Sequence, residues 1–411
     1  MLGFGPLAFG VVQPWSICTL EVGTSVLLAV WVASRAIKGF HVAINPLLAP
    51  IALFASIVIA QLAFRRTAYW YETWSKAMLW ASYAGLSFLA SQLFRRQRWT
   101  KWFACFCVVY GFLLSLFAVI QQFTSNGKIY WLVPTRSGGW IYGPYVNHAH
   151  YAGLLEMLVP FPIILAIITR EERMQRAMFL FVSVVSCSTI FLSQSLGGII
   201  AFTVQIAVLA LILWRNRRTV WRESIILYAL CLGLAIWLLW LRPPGLVERF
   251  ARMLNPISDA GVTGRIAILK DSLRMLWQRP VLGWGLGTFP DVYPSFRSFY
   301  TNFWVNEAHN DFAQTFVETG LAGFAAVTIF LVFLAYGGIQ SIRHWRESTQ
   351  SSITLAAFLG CIGLMVHGLC DFNLQIPANA AFFFTLAVLA TAHCDNATQY
   401  QLSVGKWRYA K

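Results

Sequence analysis

Charge is scarce in this chain. Asp, Glu, Lys and Arg make up 11% of its 411 residues against 58% hydrophobic residues, and so thin a charged surface excludes the two or three soluble domains that length alone would suggest. Cysteine is no framework either: Cys18, Cys105, Cys107, Cys187, Cys231 and Cys361 sit in apolar stretches, where a thiol behaves as a small hydrophobe. None stands beside a histidine at zinc-site spacing, and Cys105 and Cys107, two apart, point to different faces of a helix. The opening Met1-Leu2-Gly3-Phe4-Gly5-Pro6 lacks the charged start and small-residue cleavage site of a signal peptide, so the first span is expected to stay as a helix. No internal repeat is present.

What remains is apolar sequence in blocks of roughly 17 to 22 residues, with 18 Trp and 32 Phe, the composition of an all-α, polytopic transmembrane bundle. The blocks predict helices near 15–34, 44–64, 74–94, 101–121, 149–169, 177–194, 197–214, 225–241, 319–340, 353–370 and 377–393. One membrane domain, 1–411, is expected. The links at 35–38, 95–101, 170–176, 215–222 and 343–346 hold 15 Arg and Lys; the opposite short links hold 5, namely Arg65, Arg66, Lys76, Lys128 and Arg136. By the positive-inside rule the first set faces the cytoplasm. Arg65 and Arg66 run against that trend. The net charge of +15 follows largely from the same rule and gives no reason to expect a nucleic-acid partner.

The long link 242–312 then faces outward, and its cations Arg242, Arg249, Arg252, Arg265, Lys270, Arg274, Arg279 and Arg297 fall outside the rule, which discounts long translocated segments. They point to an anionic ligand or to anionic lipid headgroups at the bilayer surface. Within it, apolar residues at 266, 269, 273, 276 and 277 predict an amphipathic helix over 264–279, which periodicity alone reads first as an interfacial helix contacting membrane lipids. Pro280 ends it. The alternate glycines of Gly283-Trp284-Gly285-Leu286-Gly287 allow close approach of backbone amides to an anion, and equally a plain turn; the P-loop spacing and its lysine are absent. His309 precedes a polar, cap-rich helix start at Asn310-Asp311. At the mouth of a bundle an imidazole can take a proton from a hydroxyl, with Glu307 or Asp311 to orient it, or it is simply a hydrated polar residue.

Several stretches resemble the O-antigen ligase and polymerase family: Arg265 with the helix after it and Pro280-Val281-Leu282-Gly283-Trp284-Gly285, then Ala308-His309-Asn310-Asp311-Phe312 through Glu318-Thr319-Gly320-Leu321-Ala322-Gly323. Gly143-Pro144-Tyr145-Val146-Asn147-His148-Ala149-His150, Leu192-Ser193-Gln194-Ser195-Leu196-Gly197-Gly198 and Gly368-Leu369-Cys370-Asp371-Phe372-Asn373 agree, in the family's order, from about residue 140 to 390. The resemblance implies a metal-independent, cofactor-free glycosyltransferase of the bacterial inner membrane with its site facing the periplasm. Its donor would be an undecaprenyl-pyrophosphate-linked glycan and its acceptor a hydroxyl of a lipid or glycan. Carried over, Arg265 binds the pyrophosphate and His309 activates the acceptor. Where the family commonly has Ser-Arg-Gly, this chain has Ser195-Leu196-Gly197. Arg136, Arg274 or Arg279 would then have to substitute, or the donor differs.

The chemistry agrees with this independently of any name. A neutralised pyrophosphate is a good leaving group, so positioned arginines and one base suffice, and the chain has no aspartate-rich metal motif of the nucleotide-sugar kind. Further substrate-binding candidates are His150 and Glu156 in the fifth span, Asn310, and Asp371 at the outer end of the tenth, since ionisable groups inside a membrane helix are functional candidates or else polar helix contacts. Polymerisation of the glycan is the alternative within the family. From another class, a transporter or flippase is permitted by Pro160 and Pro162 and by Glu21 and Glu156, and opposed by the gathering of polar residues in one outer link.

Overall fold

In hydrocarbon every backbone amide must be satisfied within its own segment, which leaves apolar runs of this length one solution, the helix. The computed structural model describes residues 1–39, 42–135, 141–169, 171–215, 220–241, 260–302 and 304–392. A short helix α1 (Phe4–Leu7) leads to α2 (Pro14–Lys38), α3 (Leu48–Ala63), α4 (Trp70–Leu93) and α5 (Gln97–Thr124). A two-stranded hairpin, β1 (Lys128–Ile129) with β2 (Val133–Pro134), pairs Lys128 with Pro134. Then come α6 (His148–Leu158), α7 (Pro160–Ile168), α8 (Arg173–Leu192), α9 (Leu196–Arg215) and α10 (Val220–Leu241). The rest is α11 (Ala260–Gln278), α12 (Phe289–Val292), α13 (Asp311–His344), α14 (Thr349–His367) and α15 (Pro377–Ala390).

Every expected span corresponds to a helix. Among the described residues seven are long and apolar enough to cross a membrane, α6 and α7 counting together, while α3, α15 and Ile225–Leu241 of α10 are shorter apolar helices and α4 is not among them. The fifth span divides because Pro160 has no amide hydrogen for the helical ladder. That divided span, α14 and α15 form the buried centre of the bundle, and α2 stands mostly exposed at its rim. Arg65 and Arg66, which break the charge trend, follow the C-terminus of α3, where the Arg66 amide donates to the Gln61 carbonyl at 2.8 Å. Cations at that end complement the helix dipole.

The links meet at two ends of the bundle, as alternation requires. At one, Asn45 donates to Thr391 Oγ1 at 3.0 Å and Ser341 Oγ to the Ala390 carbonyl at 3.2 Å. At the other, the Ala68 amide donates to the Trp284 carbonyl at 2.6 Å, and Asn310 Nδ2 to the Leu369 carbonyl at 2.8 Å. The second end carries the candidate residues that the structure describes.

The glycine run turns out to be a joint. Trp284 and Gly285 donate to the carbonyls of Val317 and Glu318, Leu321 and Ala322 donate to those of Pro280 and Val281, and Gln61 Nε2 donates to the carbonyls of Leu282 and Glu318. These bonds lock the chain after α11 onto α13 where Gly320, at φ 63° and ψ −164°, kinks that helix. Gly283, Gly285 and Gly287 all have positive φ, and a Cβ on each would lie within 2.5 Å of Glu318, Thr67 or Lys76 atoms. They serve close packing between chain segments, and the Gly287 amide also donates to the Glu318 carboxyl at 2.8 Å. α11 is two-faced. Ile268, Met275 and Leu276 pack with Phe289, Tyr293 and Val317, whereas Ile266, Leu269, Leu273 and Trp277 form an exposed apolar stripe suited to lipid.

Gly320 occupies a backbone region open essentially to glycine, and a Cβ there would lie 2.4 Å from the Val281 carbonyl oxygen. Gly320→Ala is therefore expected to cost about 1–3 kcal/mol and lower the unfolding temperature in detergent. Gly264→Ala, facing open space on α11, should be neutral or stabilising by up to about 1 kcal/mol. Equal melting of the two variants would count against the joint.

Candidate active site

Four segments far apart in sequence deliver the cluster. α14 ends at His367, and the turn after it places Asp371, 3% exposed, at the mouth of the bundle. Around this carboxylate, Arg265 Nη2 lies 3.8 Å from Oδ2, His309 Nδ1 3.6 Å from Oδ1 and His367 Nε2 4.0 Å from Oδ2. Its own turn contributes the Phe372 amide at 2.9 Å. Burial alone would raise the Asp371 carboxyl; His309, His150, His367 and Arg265 outweigh it and hold the group well below its ordinary value. It stays an anion.

Arg265 begins the second turn of α11 and is fixed at one side only, Nη1 donating to the Cys370 carbonyl at 2.9 Å. With its side chain 41% exposed, the guanidinium keeps N–H donors beyond this bond and its approach to Asp371. His309 is held at φ 52°, a left-handed conformation rare for a side chain of its size. Asn310 maintains that bend: its Oδ1 caps α13 by accepting from the Ala313 amide at 2.9 Å, while Nδ2 reaches the Leu369 carbonyl. Both polar ends of Asn310 are thus used in joining the His309 loop to the Asp371 turn.

The carboxylate nearest the His309 ring differs from those expected. Asp311 accepts from the Leu374 amide at 3.1 and 3.2 Å, and Glu307 accepts from Gln314 Nε2. Burial raises Glu307, with Lys76 and Gln314 opposing. Asp371, from another segment altogether, takes the orienting position.

His150 lies beside the cluster, its ring edge-on to Phe372 at 4.6 Å, with the His309 ring edge-on to the same phenyl at 4.9 Å. Asn379 secures it by donating to the His150 carbonyl and to Asn373 Oδ1. Glu156 is deeper than a substrate contact would be. Fully buried on α6, it accepts from His367 Nδ1 at 2.9 Å and, among the described residues, forms no ion pair with an arginine of the long link. His367 escaped the reading of the sequence because it closes an apolar helix one residue before the Gly368-to-Asn373 stretch; its spacing of four from Asp371 was the available signal. Ser195 was likewise only part of a motif. Its hydroxyl accepts from the Gly198 amide and lies 3.4 Å from His367 Nε2.

Two arginines go elsewhere. Arg274 bonds Asp271 at 3.3 Å, and nine residues of helix, about 900° of rotation, put it opposite Arg265. Arg279 covers the Trp284 ring at 4.2 Å, roughly 21 Å along the axis from Arg265 at helical rise. Arg136 lies outside the described residues. Leu196 opens α9 directly after Ser195, so an arginine in its place would have stood beside the cluster.

The arrangement offers an anchored guanidinium and an imidazole on one buried carboxylate, at one end of a membrane bundle. No curated protein matches the chain. Residues 180–328, which include Arg265 and His309 but not Glu156, His367 or Asp371, match the family model described as O-antigen ligase. That match and the helical membrane architecture support the resemblance to the O-antigen ligase and polymerase family.

Proposed function

We propose that the protein transfers a glycan from an undecaprenyl-pyrophosphate carrier to an acceptor hydroxyl, at the end of the bundle remote from the basic links. The observation that carries this is the convergence of Arg265 and His309 on Asp371, at 3.8 and 3.6 Å. Arginine binds phosphate oxygens through paired N–H donors, and Arg265 keeps donors to spare beyond its bond to Cys370. The charge bias of the links supports a periplasmic site in the inner membrane.

In the reaction the bond between the anomeric carbon and the pyrophosphate oxygen breaks, its electron pair leaving with the diphosphate. Arg265 neutralises the charge that develops there. The acceptor oxygen bonds to the anomeric carbon and gives its proton to His309. With Nδ1 turned toward Asp371, the imidazole presents Nε2 to the acceptor, the tautomer a neighbouring carboxylate selects. Their 3.6 Å separation is longer than a hydrogen bond, the looseness common before substrate arrives. The proton then passes to solvent or to the departing diphosphate. Ligation to a lipid acceptor and polymerisation share these bond changes and differ only in the acceptor.

In proteoliposomes supplied with a polyprenyl-pyrophosphate-linked glycan, His309→Ala is expected to lower kcat by about 10²–10⁴-fold with little change in donor KM. Arg265→Ala should raise donor KM as well. Folded variants that still joined donor to acceptor at the unsubstituted rate would refute the assignment.

Asp371→Asn should cost about 10–100-fold in rate, the usual effect of removing a partner that orients a functional histidine. Because the folded-state carboxyl titrates below its unfolded value of about 3.9, its charge stabilises the fold above that pH, and the benefit fades as pH falls further. Denaturant unfolding should therefore show the asparagine variant less stable at pH 6, with the gap narrowing below about pH 4. A gap of constant size would contradict the charge assignment.

A further inference from the structure

Glu156 and His367 form a pair of ionisable groups that the reaction above leaves unused, and both side chains are fully buried. His367 Nδ1 lies 2.9 Å from Glu156 Oε1; on the other side of the ring Nε2 lies 4.0 Å from Asp371 Oδ2 and 3.4 Å from Ser195 Oγ. A ring with an acidic oxygen toward each nitrogen is matched electrostatically only when both nitrogens carry hydrogen. Between two ionised acids the neutral ring would turn a lone pair toward one of them, whichever tautomer it adopts, through a medium that screens poorly. A buried cation needs a counter-ion, and Glu156 is placed to be one.

We propose that His367 is a positioning residue, a resident imidazolium balanced by Glu156, which shares the Asp371 carboxylate with Arg265 and His309 and so keeps His309 free to accept a proton. The proposal rests on the reading of His309 as the base. A buried carboxylate with one histidine beside it would favour that histidine as a cation, and a base already protonated cannot accept the acceptor's proton. A second imidazolium on the same carboxylate opposes this. The ionisable groups that act on His367 are Glu156 and His150 from α6, Arg265 from α11, and Cys370 and Asp371 from the turn after α14, while His309, before α13, and Asp311, at its start, act on Asp371. Of these, Glu156 alone stands on the side of the ring away from Asp371 and within hydrogen-bond reach.

Glu156→Gln removes the counter-ion, and with it the charge on His367, at nearly constant volume. The double variant Glu156→Gln with His367→Gln removes both charges and leaves neither unmatched, which guards against a single variant that fails to fold. His309 is 30% exposed against 0% for His367, so carbethoxylation by diethyl pyrocarbonate, read by mass spectrometry on the peptide bearing His309, follows its proton occupancy against pH. This readout is independent of glycan transfer. In both variants the His309 labelling curve should move to higher pH by about half a unit or more, and the acid limb of transfer should move with it. A curve that stays in place, or moves to lower pH as loss of a lone negative charge would make it, overturns the proposal. If the unsubstituted protein labelled normally but transferred no glycan, the enzymatic reading would fall, and the labelling curve would still decide the role of His367.

Discussion

The candidate site at one end of this bundle is arranged around one carboxylate that has been removed from water. Asp371 is stable as a buried anion only because nitrogen-bearing side chains surround it, and those side chains lie in position because the anion attracts them. Remove the carboxylate and a guanidinium and two imidazoles are left crowding each other at the edge of a medium of low polarity. The helices that deliver the groups are held by apolar packing that is indifferent to charge, so the electrostatic balance settles their final geometry.

The joint between the glycine run and the kink of α13 works on the same scale by other means. Arg265 and His309 belong to segments separated by more than forty residues of link, which backbone entropy would otherwise leave free to wander. Hydrogen bonds from Pro280–Gly285 to Val317–Ala322, closed by Gln61 from α3, make the two segments one piece. A site that must hold two groups within a few tenths of an ångström needs such a rigid frame beneath it.

Much of this was legible in the residues. Apolar block length dictates helices in lipid, so all eleven spans could be placed, and even the division of the fifth at Pro160 follows from a missing donor. The cations of the long link pointed to an anionic ligand or headgroups, and the resemblance of the surrounding stretches to a known family singled out Arg265 and His309. The partners of those groups were not legible: Asp371 is sixty-two residues from His309, and nothing in local periodicity says which carboxylate of several will face which ring. Glu307 and Asp311 were nearer in sequence, yet the local turn directs them to Gln314 and to the Leu374 amide. The glycine run illustrates the same limit, since the sequence permits an anion cradle and a packing joint equally and only tertiary contact separates them. His367 was hidden by its setting, an apolar helix in which a lone histidine reads as a packed side chain.

The membership of the cluster also has a bearing on how the protein is made. Glu156 is made with the fifth span, Arg265 and His309 with the long link after it, and His367 and Asp371 only with the tenth. Until then the nascent chain carries an acid on α6 with no imidazole opposite it, and an arginine and a histidine with no anion between them. Water or lipid headgroups must accommodate these charges during insertion, so the outer mouth of the bundle stays hydrated until the tenth span docks. Docking of the tenth span is then at once a dehydration and the completion of the charge balance.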